Sequence, residues 1–263
     1  MTSRRDLLTG VLAAAATWTM ADARTAASRP RYRRIGYTGI TWGYSADDAP
    51  NAIRDVGELG YRGFESCGGV LEAWESRGGL QAQLEAQQLP LVGACCPMNL
   101  TDPAQRADII TTLNDIGLAL TDIGITAALH PHSGSCIMTR EEIWSVLEST
   151  NSRDVRLCPD TGELLASGVD PLETIQHFGE LIAHVHVKDY DGGRSHDGFA
   201  PVGHGKLKVG AIMDALEELP GQFMVMVELN PDPAENKADP SAPRRAAAQS
   251  KATFAALGYR FRS

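Results

Sequence analysis

Six ionisable side chains stand at the ends of short apolar runs in the second half of this 263-residue chain. His130 and His132 close Ala-Leu-His-Pro-His. Asp160 lies in Leu-Cys-Pro-Asp-Thr-Gly, His184 and His186 in His-Val-His-Val-Lys-Asp, and Glu228 in Val-Met-Val-Glu-Leu-Asn. A lone histidine in such a place is usually a satisfied hydrogen bonder, and a lone carboxylate often caps the following helix. Four separate runs that all end this way are hard to assign to chance. Imidazoles and carboxylates gathered on one face make a mixed nitrogen and oxygen site for a divalent metal such as Mn2+, Zn2+, Co2+ or Mg2+. Residues two apart on a strand share a face. One histidine of each pair can therefore ligate while the other binds substrate or supports its partner by a hydrogen bond. His186, next to polar Lys188-Asp189, is the better ligand of its pair, and His184 sits deeper.

To converge, these ends must lie on one side of one sheet. Apolar runs at 34–42, 61–67, 90–96, 125–132, 155–161, 182–189 and 223–230 alternate with amphipathic stretches. Val209, Ile212, Met213, Leu216 and Leu219 repeat at helical spacing, as do Ile109, Ile110, Leu113, Ile116 and Leu120 behind the start signal Asp102-Pro103. Thr139 to Glu142 approaches the form of a capping box. A last helix spans 242–257 and stops at Gly258, and 231–243 reads as a polar, proline-rich loop. Strand–helix alternation implies a parallel sheet with right-handed crossovers. Length and count fit an α/β fold, a TIM-like (β/α) barrel, in which all strands open at their C-terminal ends onto one active face. No glycine-rich dinucleotide fingerprint follows the first run. Seven units are present rather than eight. Asp102 leads through one helix directly to Ile125, so one βα unit is missing and seven strands are expected, with the irregularity between the third and fourth. Homo-oligomerisation is one way to compensate such a gap.

The chain carries a formal net charge of -9, which disfavours nucleic acid and anionic membranes as partners. Residues 1–23 read as a twin-arginine signal peptide: Arg4-Arg5, an apolar stretch to Ala16, and Ala21-Asp22-Ala23 as the cleavage site. That leaves 24–263 as the single mature domain, exported to the periplasm or beyond, with no membrane contact after cleavage. Five cysteines without CxxC spacing, Cys67, Cys95, Cys96, Cys136 and Cys158, read as small buried residues near strand ends. Gly203-His204-Gly205-Lys206 is either a phosphate cradle or a tight turn. Trp42, Phe64 and Trp74 are either core or faces for a sugar ring.

The ordered motifs LHPHSG, CPDTG, Ser167-Gly-Val-Asp-Pro171, HVHVKD, PVGHGKL and MVELN, with YRGFE upstream, resemble the xylose-isomerase-like TIM-barrel superfamily of sugar epimerases and inosose dehydratases. The resemblance covers nearly the whole mature chain. It implies a metal held by His130, Asp160, His186 and Glu228, with His132, Lys188 and Glu65 toward a sugar or polyol substrate. It further implies isomerase or epimerase chemistry by proton abstraction through an enediolate, with Glu228 as the base. Two positions depart from the superfamily pattern. His130 stands where the epimerases carry a carboxylate, which gives a dehydratase more weight. Glu163 stands where Asp-Thr-Gly is usually followed by histidine, which makes it a second acid–base candidate. A sugar-binding relative without catalysis is the competing class, and it differs in needing no bound metal.

Overall fold

The interior of the molecule is lined in layers, because alternate residues of each strand point inward. The computed structural model describes residues 31–98 and 100–263. The parallel strands are β1 (Ile35–Thr38), β2 (Phe64–Cys67), β3 (Leu91–Cys95), β4 (Ala127–Leu129), β5 (Val155–Leu157) and β6 (Val185–Val187). A short antiparallel hairpin of β7 (Asp189–Tyr190) and β8 (Phe199–Ala200) follows, and β9 (Val225–Val227) is again parallel. The hydrogen-bonded order is β3-β2-β1-β9-β6, and β4 pairs with β5. Isolated bridges from Leu157 to Ile182 and from Asp160 to His186 join β5 to β6. Among the described residues this makes seven parallel strands curled into a TIM-like barrel, open between β3 and β4. The opening falls where the sequence lacks a βα unit.

The helix that leads into β4, Arg106–Asp122, packs its Gly117 onto the next strand. A side chain there would meet the Asp154 carbonyl oxygen and Val155 at 2.8 Å. The outer edges of β3 and β4 are left without strand partners among the described residues, and Leu91, Ile116, Leu118, Ile123 and Ile125 remain exposed around them. Ile116 therefore departs from the buried face that its spacing predicts. Cys95 and Cys96 depart likewise. They are exposed rather than buried because the strand they end is an open edge, while Cys136 and Cys158 are buried.

The barrel floor is apolar and tight. Gly36 pairs with Met226, and a side chain at Gly36 would meet Met226 Sδ at 2.4 Å and the Gly63 carbonyl at 2.9 Å. Trp42 and Phe64 belong to this core, and Trp42 Nε1 donates to Asp55 Oδ2 at 3.0 Å, so these two do not face a sugar. Thr139 and Glu142 complete the capping box of the helix Arg140–Ser149. The 231–243 segment is not wholly loop. Asp232 accepts the Glu235 N–H at 3.1 Å and Pro233 pre-sets the first turn, which starts the helix Pro233–Ala238. The twin-arginine motif and its cleavage site lie outside the described residues. Among the described residues no helix is long and apolar enough to cross a membrane.

The loop after β8 is organised by one buried carboxylate. Asp189 accepts from the backbone N–H groups of Tyr190, Gly203, Gly205 and Leu207, each at 2.9 Å. The amides of the 203–207 turn are thus already spent, which settles the turn reading of Gly203-His204-Gly205-Lys206 against a phosphate cradle. A side chain at Gly205 would meet Asp189 Oδ1 at 2.3 Å. Asp189→Ala should cost about 3–5 kcal/mol in denaturant unfolding, because four backbone donors lose one buried, charged acceptor. A loss below about 1 kcal/mol would show that water replaces the carboxylate.

Candidate active site

Strand register brings the ionisable groups to one level at the C-terminal mouth. His186 N–H donates to the Pro159 carbonyl at 3.0 Å and Glu228 N–H to the Val187 carbonyl at 3.2 Å. These bonds set Asp160, His186 and Glu228 beside one another, and each of the three offers a ligand atom within 4.8 Å of the other two. Asp160 Oδ1 caps the helix Thr161–Ala166 by accepting from Gly162 N–H at 2.8 Å and Glu163 N–H at 2.9 Å. Its Oδ2 is buried with no hydrogen-bond partner, as is Nδ1 of His186. Nδ1 lies 2.7 Å from Glu228 Oε2 but off hydrogen-bond alignment, and 3.9 Å from Asp160 Oδ2. Buried polar atoms are rarely left unpaired. An unpaired carboxylate oxygen and an unpaired imidazole nitrogen, set beside a second carboxylate, fit a divalent cation.

The other ring nitrogen of His186 is spoken for. Nε2 donates to Glu65 at 3.0 Å, and His184 Nε2 donates to the same carboxylate at 2.6 Å. An ionised carboxylate only accepts, so both Nε2 atoms carry hydrogen. Glu65 is therefore buried beneath the mouth, aligned on two histidines. The signal for this was the shared strand face of His184 and His186.

Lys188, the third inward residue of that strand, is fully buried. Nζ donates to Glu163 Oε1 at 2.8 Å and Glu228 Oε1 at 2.9 Å, and stands 3.9 Å over the Phe199 ring. Glu163 also gathers the loop after β4. It accepts the Ser133 N–H at 3.1 Å and the Ser133 hydroxyl, and His132 Nε2 lies 3.1 Å away. His132 itself is exposed at the rim. His130 Nε2 is 3.8 Å from Asp160 Oδ2, and its ring meets His186 edge-on at 4.6 Å between centroids. Its Nδ1 faces Cys158 Sγ at 3.7 Å. The structure thus groups three of the four expected ligands, while His130 shares its set with Cys158 and His186. Sequence reasoning missed Ser133 and Cys158. The latter was reachable, since it lies two residues before Asp160 and alternation places both on one face.

Electrostatics follow from packing so much charge out of water. Burial pushes Asp160 up to about 7, with Lys188 pulling it down and Glu228 and Glu163 adding to the rise. Burial also opposes ionisation of Glu228, but Lys188 and then His186 outweigh it and hold the carboxyl well below its usual range. The same contest, won by the two histidines, holds Glu65 low. His186 runs the other way: burial disfavours its charge, yet Glu65 and Glu228 raise it well above the usual imidazole range. Burial and the neighbouring His186 bring His130 down to about 3, so it is neutral.

A family model described as xylose isomerase-like TIM barrel matches residues 82–253. Inosose dehydratase of Lacticaseibacillus casei is 29% identical over 147 residues, 50% of this chain and 49% of that protein. The chain thus spans about half the length of this curated relative. The solved D-allulose 3-epimerase from Methylomonas sp. superposes with a TM-score of 0.66 at 15% identity, covering 87% of this chain and 99% of that one. A xylose isomerase-like TIM barrel protein from Mycobacterium smegmatis, in complex with magnesium, gives 0.67 at 14% identity, covering 86% and 96%. At these identities the structural likeness speaks to the fold.

Proposed function

We propose that this chain, which belongs to the xylose isomerase-like TIM barrel family, is a divalent-metal-dependent isomerase or epimerase of a keto-sugar or related polyol. The observation that carries the reading is the convergence of unpaired Asp160 Oδ2 and His186 Nδ1 on Glu228 Oε2. Asp160, His186 and Glu228 would hold the cation. When bound, it would polarise a carbonyl and its neighbouring hydroxyl and ease removal of the adjacent carbon-bound proton. Glu228 Oε2 takes that proton, leaving an enediolate, while Lys188 Nζ holds Oε1 and balances its charge. Glu65 holds His186 by Nε2, which leaves Nδ1 as the nitrogen that would take the cation. His132, exposed at the rim, is placed to meet sugar hydroxyls.

A second reading, a dehydratase on the same site, is favoured by the inosose dehydratase relative and by His130 in place of an epimerase carboxylate. Both readings begin with the same proton abstraction and part afterwards. Ketoses and inososes are to be screened with metal-loaded protein for solvent deuterium uptake and for loss of water. Deuterium uptake with the substrate mass otherwise retained supports the isomerase or epimerase, and loss of one water supports the dehydratase. Sugar binding with neither change supports a binding protein and sinks both.

The reading extends to an exported protein, on the strength of Arg4-Arg5 and the apolar stretch behind them. Lysine at both positions should leave precursor in the cytoplasm. Unchanged export would remove the twin-arginine assignment.

A further inference from the structure

The proposed reaction leaves two donors beside His186 idle, His130 and Cys158. Ligand atoms of His130, Cys158 and His186 all lie within 4.8 Å of one another. Zinc bonds of about 2.3 Å to sulfur and about 2.0–2.1 Å to nitrogen, at a tetrahedral angle, set those two atoms about 3.6 Å apart. Cys158 Sγ and His130 Nδ1 are 3.7 Å apart. The pair is held by backbone, since Cys158 N–H donates to the Leu129 carbonyl at 2.8 Å, one residue before His130. The His130 and His186 rings meet edge-on at 4.6 Å, and Cys158 is buried. The plain alternative is a cysteine that only fills space.

We propose that His130, Cys158 and His186 form an alternative cation set, taking a thiophilic divalent ion such as Zn2+ or Cd2+, which shares His186 with the Asp160–His186–Glu228 set. Softness separates the two. Two carboxylates and an imidazole suit Mg2+ or Mn2+, whereas a thiolate and two imidazoles suit Zn2+ or Cd2+. Binding replaces the S–H bond with a metal–sulfur bond, and the protons displaced from Cys158 and from His186 pass to solvent. Because the sets share an imidazole, and Asp160 Oδ2 is 3.8 Å from His130 Nε2, one ion occupies one set or the other. A thiophilic ion therefore excludes the harder one and blocks the proton transfer assigned to Glu228. The inference rests on donor geometry and on His186 as a shared ligand, not on which sugar reaction is catalysed.

The test titrates Cd2+ into metal-free protein and reads the ultraviolet thiolate-to-cadmium charge-transfer band. The band is taken as the difference between wild type and Cys158→Ser, which cancels any contribution from exposed Cys95 and Cys96. Mn2+ binding is followed separately by electron paramagnetic resonance. Expected are a difference band saturating at one Cd2+ per chain, at least about a tenfold weaker Cd2+ affinity in Cys158→Ser, and loss of Mn2+ binding once Cd2+ is bound. Mn2+ binding by Cys158→Ser shows that the variant folds, and His130→Asn should lose the band as well. Absence of a difference band, or Cd2+ and Mn2+ bound together, overturns the proposal. Failure of Mn2+ to bind while the cadmium band appears counts against the proposed function and leaves this inference standing.

Discussion

Asp160→Asn should abolish Mn2+ binding and at the same time make the metal-free protein more stable. The two effects have one cause. Oδ1 caps a helix, a role asparagine performs as well. Oδ2 is a buried atom with no hydrogen-bond partner, and Lys188 Nζ, 4.0 Å away, offsets its charge only in part. Loss of an outer partner of a ligand typically costs about 10–100-fold in affinity, so loss of a ligand should cost at least about 100-fold. The stability effect has a definite sign in pH. Asp160 rises from the usual 3.8 to about 7 on folding, chiefly by burial. The folded state therefore holds a proton that the unfolded chain gives up between those values. The stability tied to this proton is fully present below about pH 4 and is lost as pH rises through about 7. Asparagine has no such proton, so the variant's advantage should grow across that window, on the order of a few kcal/mol. Metal affinity in the wild type should rise with pH in the same range. Below about 7 the ion displaces one proton from Asp160 and one from the raised His186; above it, only the second. Isothermal titration with Mn2+ should show a slope near two giving way to one. A flat profile, or an apo Asp160→Asn less stable than wild type at pH 8, would remove Asp160 from the metal set.

Glu228→Gln should stop exchange of the substrate's carbon-bound proton with solvent even when the variant is saturated with metal. General-base catalysis is worth about 10²–10⁴-fold, which a deuterium-exchange assay resolves. Glu228 is held ionised by Lys188 and His186, with Oε2 on the side of the unpaired ligand atoms. Glu163, the competing candidate, spends Oε1 on Lys188 and Oε2 on Ser133, and is 1% exposed. Its engagement favours a role in holding the loop after β4 and in balancing Lys188. Glu163→Gln should accordingly keep exchange within about tenfold of wild type. The reverse pattern, exchange lost in Glu163→Gln and kept in metal-loaded Glu228→Gln, moves the base to Glu163.

What the sequence determined by itself was whatever depends on period and local chemistry. Alternation along His184-Val-His-Val-Lys188 set three polar groups on one strand face, and the apolar runs placed all seven parallel strands. The jump from Asp102 through one helix to Ile125 located the barrel's opening, since a missing unit is a matter of chain length. Asp102 and Thr139 announced their helices because a cap is a contact within a few residues. Tertiary structure decided every property that needs two distant segments. Glu65 and His186 are 121 residues apart in sequence, and only curling the sheet makes Glu65 a support for His186 rather than a group facing substrate. Lys188 became a buried counterion because β5 and β9 deliver Glu163 and Glu228 to its two sides. Asp189 claimed the amides of the 203–207 turn, which no local signal announces. Cys95 was exposed and Cys158 buried although both end apolar runs, since exposure depends on which strand lies at the opening. Periodicity tells a side chain which face to take; only closure of the sheet tells it what it will meet there.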